Sequence, residues 1–449
     1  MIPLQLTEIA AALDCPPPKR DATIEYIASD SRKVREATLF AALPGSKVDG
    51  HDYADVAVKL GAVALLVSRP LEVNVPQLVV RDVLLSLGKI AALLRKRLDP
   101  VVIGITGSNG KTTVKEMIAG ILRQAGPVLA TQGNYNNELG LPLSLFGLEQ
   151  KHRYAVLEMG ASRPGDIAYL ASIARPDVAL VNNIGPAHLK GFGSIEGVAQ
   201  TKGEIYAALR EDGCAVMNAD EPWLDRWRSM SRAAREITFG VAEESDVRLV
   251  EEGGTARIET PQGAFDLDLP LPGRHNLLNA AAATAMAIAL GIDLELIRNG
   301  LENAQPVPGR LNVLQTAAGW TVIDDTYNAN PASLYSALQV LTTMKGEPWL
   351  VLGDMKELGT DSSKMHREVG EAARVMGVRR LFVTGPMSQH MVDLFGPGAI
   401  HFESRDELVA ALCRELHPGV NCLVKGSRSM GMEAVVQAVV RESELREAS

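Results

Sequence analysis

The stretch VVIGITGSNGKTTVKEMIAGILRQAG, Val101 to Gly126, decides the fold. An apolar run is followed by a glycine-bearing loop, GSNGKTT (Gly107 to Thr113), and then by a helical pattern. A strand that passes through such a loop into a helix leaves backbone N–H groups free and aims the helix dipole at an anion. The loop residues Gly107, Ser108, Asn109, Gly110, Lys111, Thr112 and Thr113 are therefore expected to cradle nucleotide phosphates. Lys111 would meet the β- and γ-phosphates, and the Thr112 hydroxyl would take a Mg²⁺. The spacing departs from the strict GxxxxGK[ST] rule, because Ile105 stands where the first glycine belongs.

Outward from this loop the same grammar repeats. The strand YAVLEMG places Glu158 at the carboxyl end of a second parallel strand, where a nucleotide's Mg²⁺ needs an oxygen ligand. DVALVNNIG reads as a third strand, and His188, in NNIGPAHL, is placed either to reach the same crevice as a neutral imidazole ligand or to serve structure alone. Residues 245–272 alternate as a hairpin-like accessory element, and an alanine-rich helix follows from about His275 to Leu290. After PVPGRL a second series begins: WTVIDD, WLVLGDM, RRLFVTG and NCLVKG, each followed by a helical pattern. Ahead of the loop, short strands and helices close in a basic amphipathic helix ending LRKRLDP, which Pro100 stops. The reading is an α/β protein of three domains. They are a small amino-terminal α/β domain (1–98), a central P-loop-type parallel-sheet ATPase domain (99–311) and a Rossmann-like carboxy-terminal domain (312–449).

Composition excludes several classes. The 449 residues are 46% hydrophobic, enough for sizeable cores, and the net charge of −9 is spread without a basic stripe, which argues against nucleic acid. No run of about 18 apolar residues is present, and the first residues lack a basic segment ahead of an apolar one, so a soluble, cytoplasmic protein is expected, and a monomer. The cysteines Cys15, Cys214, Cys413 and Cys422 lack metal-ligand spacing and read as reduced thiols.

Other positions stay open on local pattern. Lys202, in AQTKGEIY, reads as an ordinary solvated helix lysine. Asn276 and Asn279, one turn apart in GRHNLLNA, could be a cap and a surface residue, and Arg310 in PGRL a linker salt bridge. The YNANP turn, with Tyr327, Asn328 and Asn330, could be a helix cap before Pro331, or the polar strand end of a cleft.

Taken in order, GITGSNGKTT, GNYNNELGLPLSL, LEMGASRPGDI, NNIGPAHL, TKGEIY, PGRHNLLNA, PGRLN, DDTYNANPASLYSAL, VLGDMKELG and VKGSRSMGME resemble the Mur ligase family along nearly the whole chain. The resemblance implies an ATP-dependent amide ligase of peptidoglycan synthesis that activates a carboxylate as an acyl phosphate. Within the family, TQGNYNNELGLPL, DDTYNANPAS and LGDMKELG look like the branch that adds D-alanyl-D-alanine to UDP-N-acetylmuramoyl-tripeptide, and a DNPR-type motif of the neighbouring branch is not found. It further implies that Lys111 holds the ATP phosphates, that Thr112 and Glu158 bind one Mg²⁺ and His188 a second, and that Lys202 is carbamylated to support the metals. Asn276 and Asn279 would line the adenine site, Arg310 would contact ATP when the domains close, and Asp325, or its neighbour Asp324, would be the ribose-side acid. Tyr327, Asn328 and Asn330 would hold the dipeptide, Asn134, Asn136 and Asn137 the muramoyl peptide, and Ser31 and Arg32 the uridine diphosphate. A folylpolyglutamate-type ligase, another Mur ligase and a non-ligase P-loop NTPase are the alternatives.

Overall fold

The computed structural model describes residues 1–45, 48–186 and 189–447, and folds them around three parallel or mostly parallel sheets. The phosphate-loop strand Val101–Thr106 lies inside a nine-stranded sheet, between Val178–Val181 on one side and Tyr154–Glu158 on the other. Beyond Val178–Val181 come Cys214–Asn218, Arg235–Gly240 and Val247–Glu252, all parallel, and then the antiparallel pair Thr255–Thr260 and Gly263–Leu267. The hairpin-like accessory element continues the central sheet, because Val247–Glu252 pairs with Arg235–Gly240 through Phe239 and Gly240.

The other sheets are smaller. Tyr26–Ala28, Thr38–Ala41, Ala62–Val67 and Gln77–Val79 form a parallel four-stranded sheet. Towards the carboxyl end, Thr321–Asp325, Val420–Lys425, Glu347–Gly353, Arg380–Thr384 and Ala399–Phe402 run parallel in that order, so the last strand of the chain inserts between the first two, and Asn312–Gln315 covers one edge antiparallel.

Packing ties the first unit to the second. The helix Val83–Leu98 ends at Asp99, which adopts a left-handed conformation (φ 44°) just before Pro100. Its buried Arg95 donates to the carbonyls of Ala174 (2.9 Å) and Arg175 (2.8 Å), satisfying the open end of the helix Asp166–Ala174. One apolar core consequently runs without a break from Leu4 through Ile90 and Leu157 to Trp227. Among the described residues no helix is long and apolar enough to cross a membrane.

The helix Ile195–Ala207, which carries Lys202, is clamped by its neighbours. Gly203 leaves the space that Trp227 fills: a Cβ there would lie 2.7 Å from the indole. Glu204 accepts from the Gly165 and Ala168 amides at the start of the helix Asp166–Ala174. Tyr206, fully buried, accepts from the Val181 amide (2.9 Å) and donates to the Val216 carbonyl (2.7 Å), joining two central strands. Tyr206→Phe strands both backbone groups in an apolar core, so urea unfolding should show a loss of about 1–3 kcal/mol; an unchanged midpoint would show that the hydroxyl contributes nothing.

Candidate active site

The parallel strands of the central and carboxy-terminal sheets end at one cavity of about 660 Å³, the arrangement in which open α/β sheets bind ligands. Around it stand Gly107, at the end of the strand Val101–Thr106, Glu158, Asn182, Asn218, Asp325 and Lys425.

The phosphate loop is held from outside. Asn183 accepts from the Asn109 amide (2.8 Å) and donates to the Asn109 carbonyl (3.1 Å), while Asn182 donates to that carbonyl (3.1 Å) and to Asn279 (2.9 Å). Asn279 in turn donates to Asn276, and Asn276 to the Pro272 carbonyl. Both helix asparagines are buried, so the surface reading of this pair is set aside. Ser108 exchanges hydrogen bonds with Gly185. Gly110, at φ 77°, caps the helix Lys111–Arg123, and a Cβ there would lie 2.5 Å from the amides of Asn182 and Asn279.

Charge concentrates at one end. The Lys111 ammonium turns back on the Gly107 carbonyl (2.8 Å). Glu158 accepts from Thr112 (2.8 Å) and from Asn136 (2.7 Å), and Arg310 donates to Thr112 (3.0 Å) while lying over the Tyr327 ring (4.0 Å). Thr112 stands behind the cavity wall, whereas Thr113 lines it. Lys202 lines it too but is 2% exposed, so it is no solvated surface lysine. Burial, reinforced by the Lys111 charge and opposed by Glu158, holds its amine well below the usual lysine range; Lys111 is lowered by burial as well.

The opposite wall separates the two candidate acids. Asp324 accepts from the Gly309 amide and the Thr326 hydroxyl, closing the turn at Arg310. Asp325 lines the cavity, pairs with buried Lys425 and accepts from the Leu311 amide; burial raises its pKa despite Lys425. Lys425 also donates to the Asn328 carbonyl (2.9 Å). His275, pushed down to about 4 by burial and by Lys425, lines the cavity as a neutral ring. Tyr327, Asn328 and Asn330 are on the same wall.

Not every expected residue gathers here. Asn136 and Asn137 line the cavity, while Asn134 is exposed outside that lining. Ser31 and Arg32 lie in the turn Ser31–Lys33 away from it, with the Arg32 side chain 87% exposed and paired with Asp30, whose carboxyl it holds near 2. That turn touches the asparagine loop where Lys33 approaches the Tyr135 hydroxyl (3.5 Å). His188 lies outside the described residues.

Comparison with known proteins supplies the wider setting. Three sequence profiles match: "Mur ligase family, catalytic domain" over 23–94, "Mur ligase middle domain" over 105–287, and "Mur ligase, glutamate ligase domain" over 309–428. A relative from Escherichia coli (strain K12), UDP-N-acetylmuramoyl-tripeptide–D-alanyl-D-alanine ligase, is 43% identical over 98% of this chain and 99% of its own length. The chain belongs to the Mur ligase family. Among solved structures, MurF from Acinetobacter baumannii superposes with a TM-score of 0.90 at 34% identity, covering 98% of this chain and 99% of that one. MurF ligase from Thermotoga maritima in complex with ADP gives 0.85 at 33%, covering 94% and 98%.

Sequence reasoning missed Asn182, Asn183, His275 and Lys425 in this Mur ligase. The signals existed: two asparagines directly after an apolar strand, and a lysine ending the otherwise apolar strand Val420–Lys425. For the loop itself, Gly110→Ala should weaken ATP binding by roughly tenfold or more, through left-handed backbone strain and the two displaced amides, with unchanged far-ultraviolet circular dichroism. Calorimetric ATP affinity equal to that of the parent would remove Gly110 from the account.

Proposed function

We propose that this Mur ligase joins D-alanyl-D-alanine to UDP-N-acetylmuramoyl-tripeptide, converting ATP to ADP and phosphate. The observation that carries the reading is the meeting of Lys111, Glu158 and Lys202 with the Tyr327–Asn330 turn in one cavity, in a chain so similar along its length to ligases of that name. Residues 99–311 would hold ATP, 312–449 the dipeptide, and 1–98 the uridine diphosphate end, with Ser31 and Arg32 at its edge. Asn276, Asn279 and Asp325 form the nucleoside side of the cavity in this reading, and Asn136 and Asn137 the muramoyl-peptide side. The chemistry is set in the cytoplasm, on a monomer.

A carboxylate and an amine do not condense at neutral pH, because the leaving group would be hydroxide. The tripeptide's terminal carboxylate therefore attacks the γ-phosphorus, ADP leaves, and an acyl phosphate results. The dipeptide's amine then adds to the acyl carbon, phosphate departs, and the amine's proton is released. Lys111 neutralises the transferring phosphoryl group, and Arg310, seated on Thr112, adds a second positive charge beside it. Glu158 offers the cavity a carboxylate that would hold a Mg²⁺ arriving with phosphate and water ligands, and the Thr112 hydroxyl, bonded to that carboxylate from behind the wall, would add an oxygen once that bond opens. Such an ion would neutralise phosphoryl charge.

Lys202 fits the same scheme once modified. A bare ammonium beside the metal would be repelled, but burial shifts the equilibrium towards the neutral amine, the form that attacks CO₂ to give a carbamate with loss of one proton. Carbamylation reverses the sign of the side chain.

Two measurements test this. Phosphate release from Mg²⁺-ATP should require both UDP-N-acetylmuramoyl-tripeptide and D-alanyl-D-alanine, with product mass equal to their sum less water. Release with UDP-N-acetylmuramoyl-dipeptide and a diamino acid instead would overturn the substrate assignment. For the lysine, ¹³CO₂ should give a carbamate carbon resonance that disappears in Lys202→Ala, and depleting the buffer of CO₂ should slow the wild-type reaction; an unlabelled wild type at full rate would exclude the modification.

A further inference from the structure

Asn330 uses both ends of its side-chain amide, and they serve different parts of the molecule. Its oxygen accepts from the Ser333 amide (2.9 Å) and, with the Asn330 backbone amide donating in return to the Ser333 hydroxyl (3.2 Å), caps the helix Pro331–Thr343. Its nitrogen reaches out of the carboxy-terminal unit and donates to the side-chain oxygen of Asn109 (2.9 Å) in the phosphate loop, 221 residues away in sequence. The Asn109 backbone is meanwhile fixed by Asn182 and Asn183, so the hook lands on an immobilised point. Close by, Arg310, at the junction of the central and carboxy-terminal units, donates to Thr112 in the first turn of the helix that follows the loop (3.0 Å).

We infer that Asn330 is a positioning residue, not a dipeptide contact: it latches the carboxy-terminal unit to the phosphate loop through Asn109. The inference rests on the ligase reading for its consequence but not for its geometry. If ATP and the dipeptide bind on the two sides of this latch, each ligand tightens the other by the same factor, since coupling between two binding sites is reciprocal. Asn109 then serves as the receiver of the latch as well as a loop residue beside the phosphates.

Two substitutions separate the latch from the cap. Asn330→Ser keeps a good capping side chain but is too short to reach Asn109. Asn109→Ala removes the acceptor and leaves the cap untouched, while the backbone bonds to Asn182 and Asn183 persist. In the full chain, D-alanyl-D-alanine affinity is measured by calorimetry with UDP-N-acetylmuramoyl-tripeptide, with and without a non-hydrolysable ATP analogue. Each substitution should cut the nucleotide's tightening of dipeptide binding by about fivefold, the worth of one neutral hydrogen bond, and the double variant by no more than either alone. Losses that multiply in the double variant, or dipeptide binding abolished by Asn330→Ser with or without nucleotide, would overturn the latch. Hydrogen exchange without any ligand keeps the two readings apart. In Asn109→Ala, exchange in the first turn of the Pro331–Thr343 helix should quicken about fivefold; unchanged exchange there would overturn the latch whatever the substrates prove to be.

Discussion

A loop that offers its N–H groups to phosphate cannot spend them on its own carbonyls, so it must be held by something else. In this chain the holders are amides: Asn182 and Asn183, from the end of the neighbouring strand, grip Asn109, and Asn279 backs Asn182. The rest of the site depends on this arrangement. It explains why the strand Val178–Val181 must lie directly beside Val101–Thr106, and why Gly110 tolerates no side chain between the two amides. Neutral amides suit the task, because they can donate and accept without adding charge where phosphates must sit.

Electrostatics divide the cavity into two ends. At the end beside the glycine-bearing loop Lys111 and Lys202 face the carboxylate of Glu158, and both amines lose pKa through burial. In the proposed reading that positive charge would meet a nucleotide's phosphates, while burial at Lys202 shifts its amine towards the uncharged form. Across the cavity Asp325 and Lys425 neutralise each other, and His275 stays uncharged beside them. A nucleoside, as proposed for that wall, would be bound there by shape and hydrogen bonding.

Much of this was legible in the sequence, and the rest was hidden for identifiable reasons. The phosphate loop, Glu158 at a strand end and the second α/β series depend on local pattern, and each appears where the pattern put it. Lys202 did not, because its helix reads as polar while its burial comes from Gly203 meeting Trp227 and Tyr206 bridging two distant strands. The hairpin reads as an accessory in sequence because its pairing with Arg235–Gly240 is set by tertiary register. Asp324 and Asp325 were inseparable by position, yet side-chain alternation along a strand sends them to opposite faces. Local pattern leaves Asn330 open as a cap or a cleft residue; it is a cap that also lines the cavity. Ser31 and Arg32, expected at the uridine diphosphate, lie outside the cavity, on a unit whose placement local sequence does not encode.

The central claim is that this cavity activates a carboxylate by phosphorylation. Its most direct test labels both oxygens of the tripeptide's terminal carboxylate with ¹⁸O and follows the label during turnover with ATP and D-alanyl-D-alanine. Passage through an acyl phosphate carries one ¹⁸O into each released inorganic phosphate, which mass spectrometry reads directly. Phosphate released during amide formation without ¹⁸O would mean that the γ-phosphoryl group went to water or to the protein, and the account would fail.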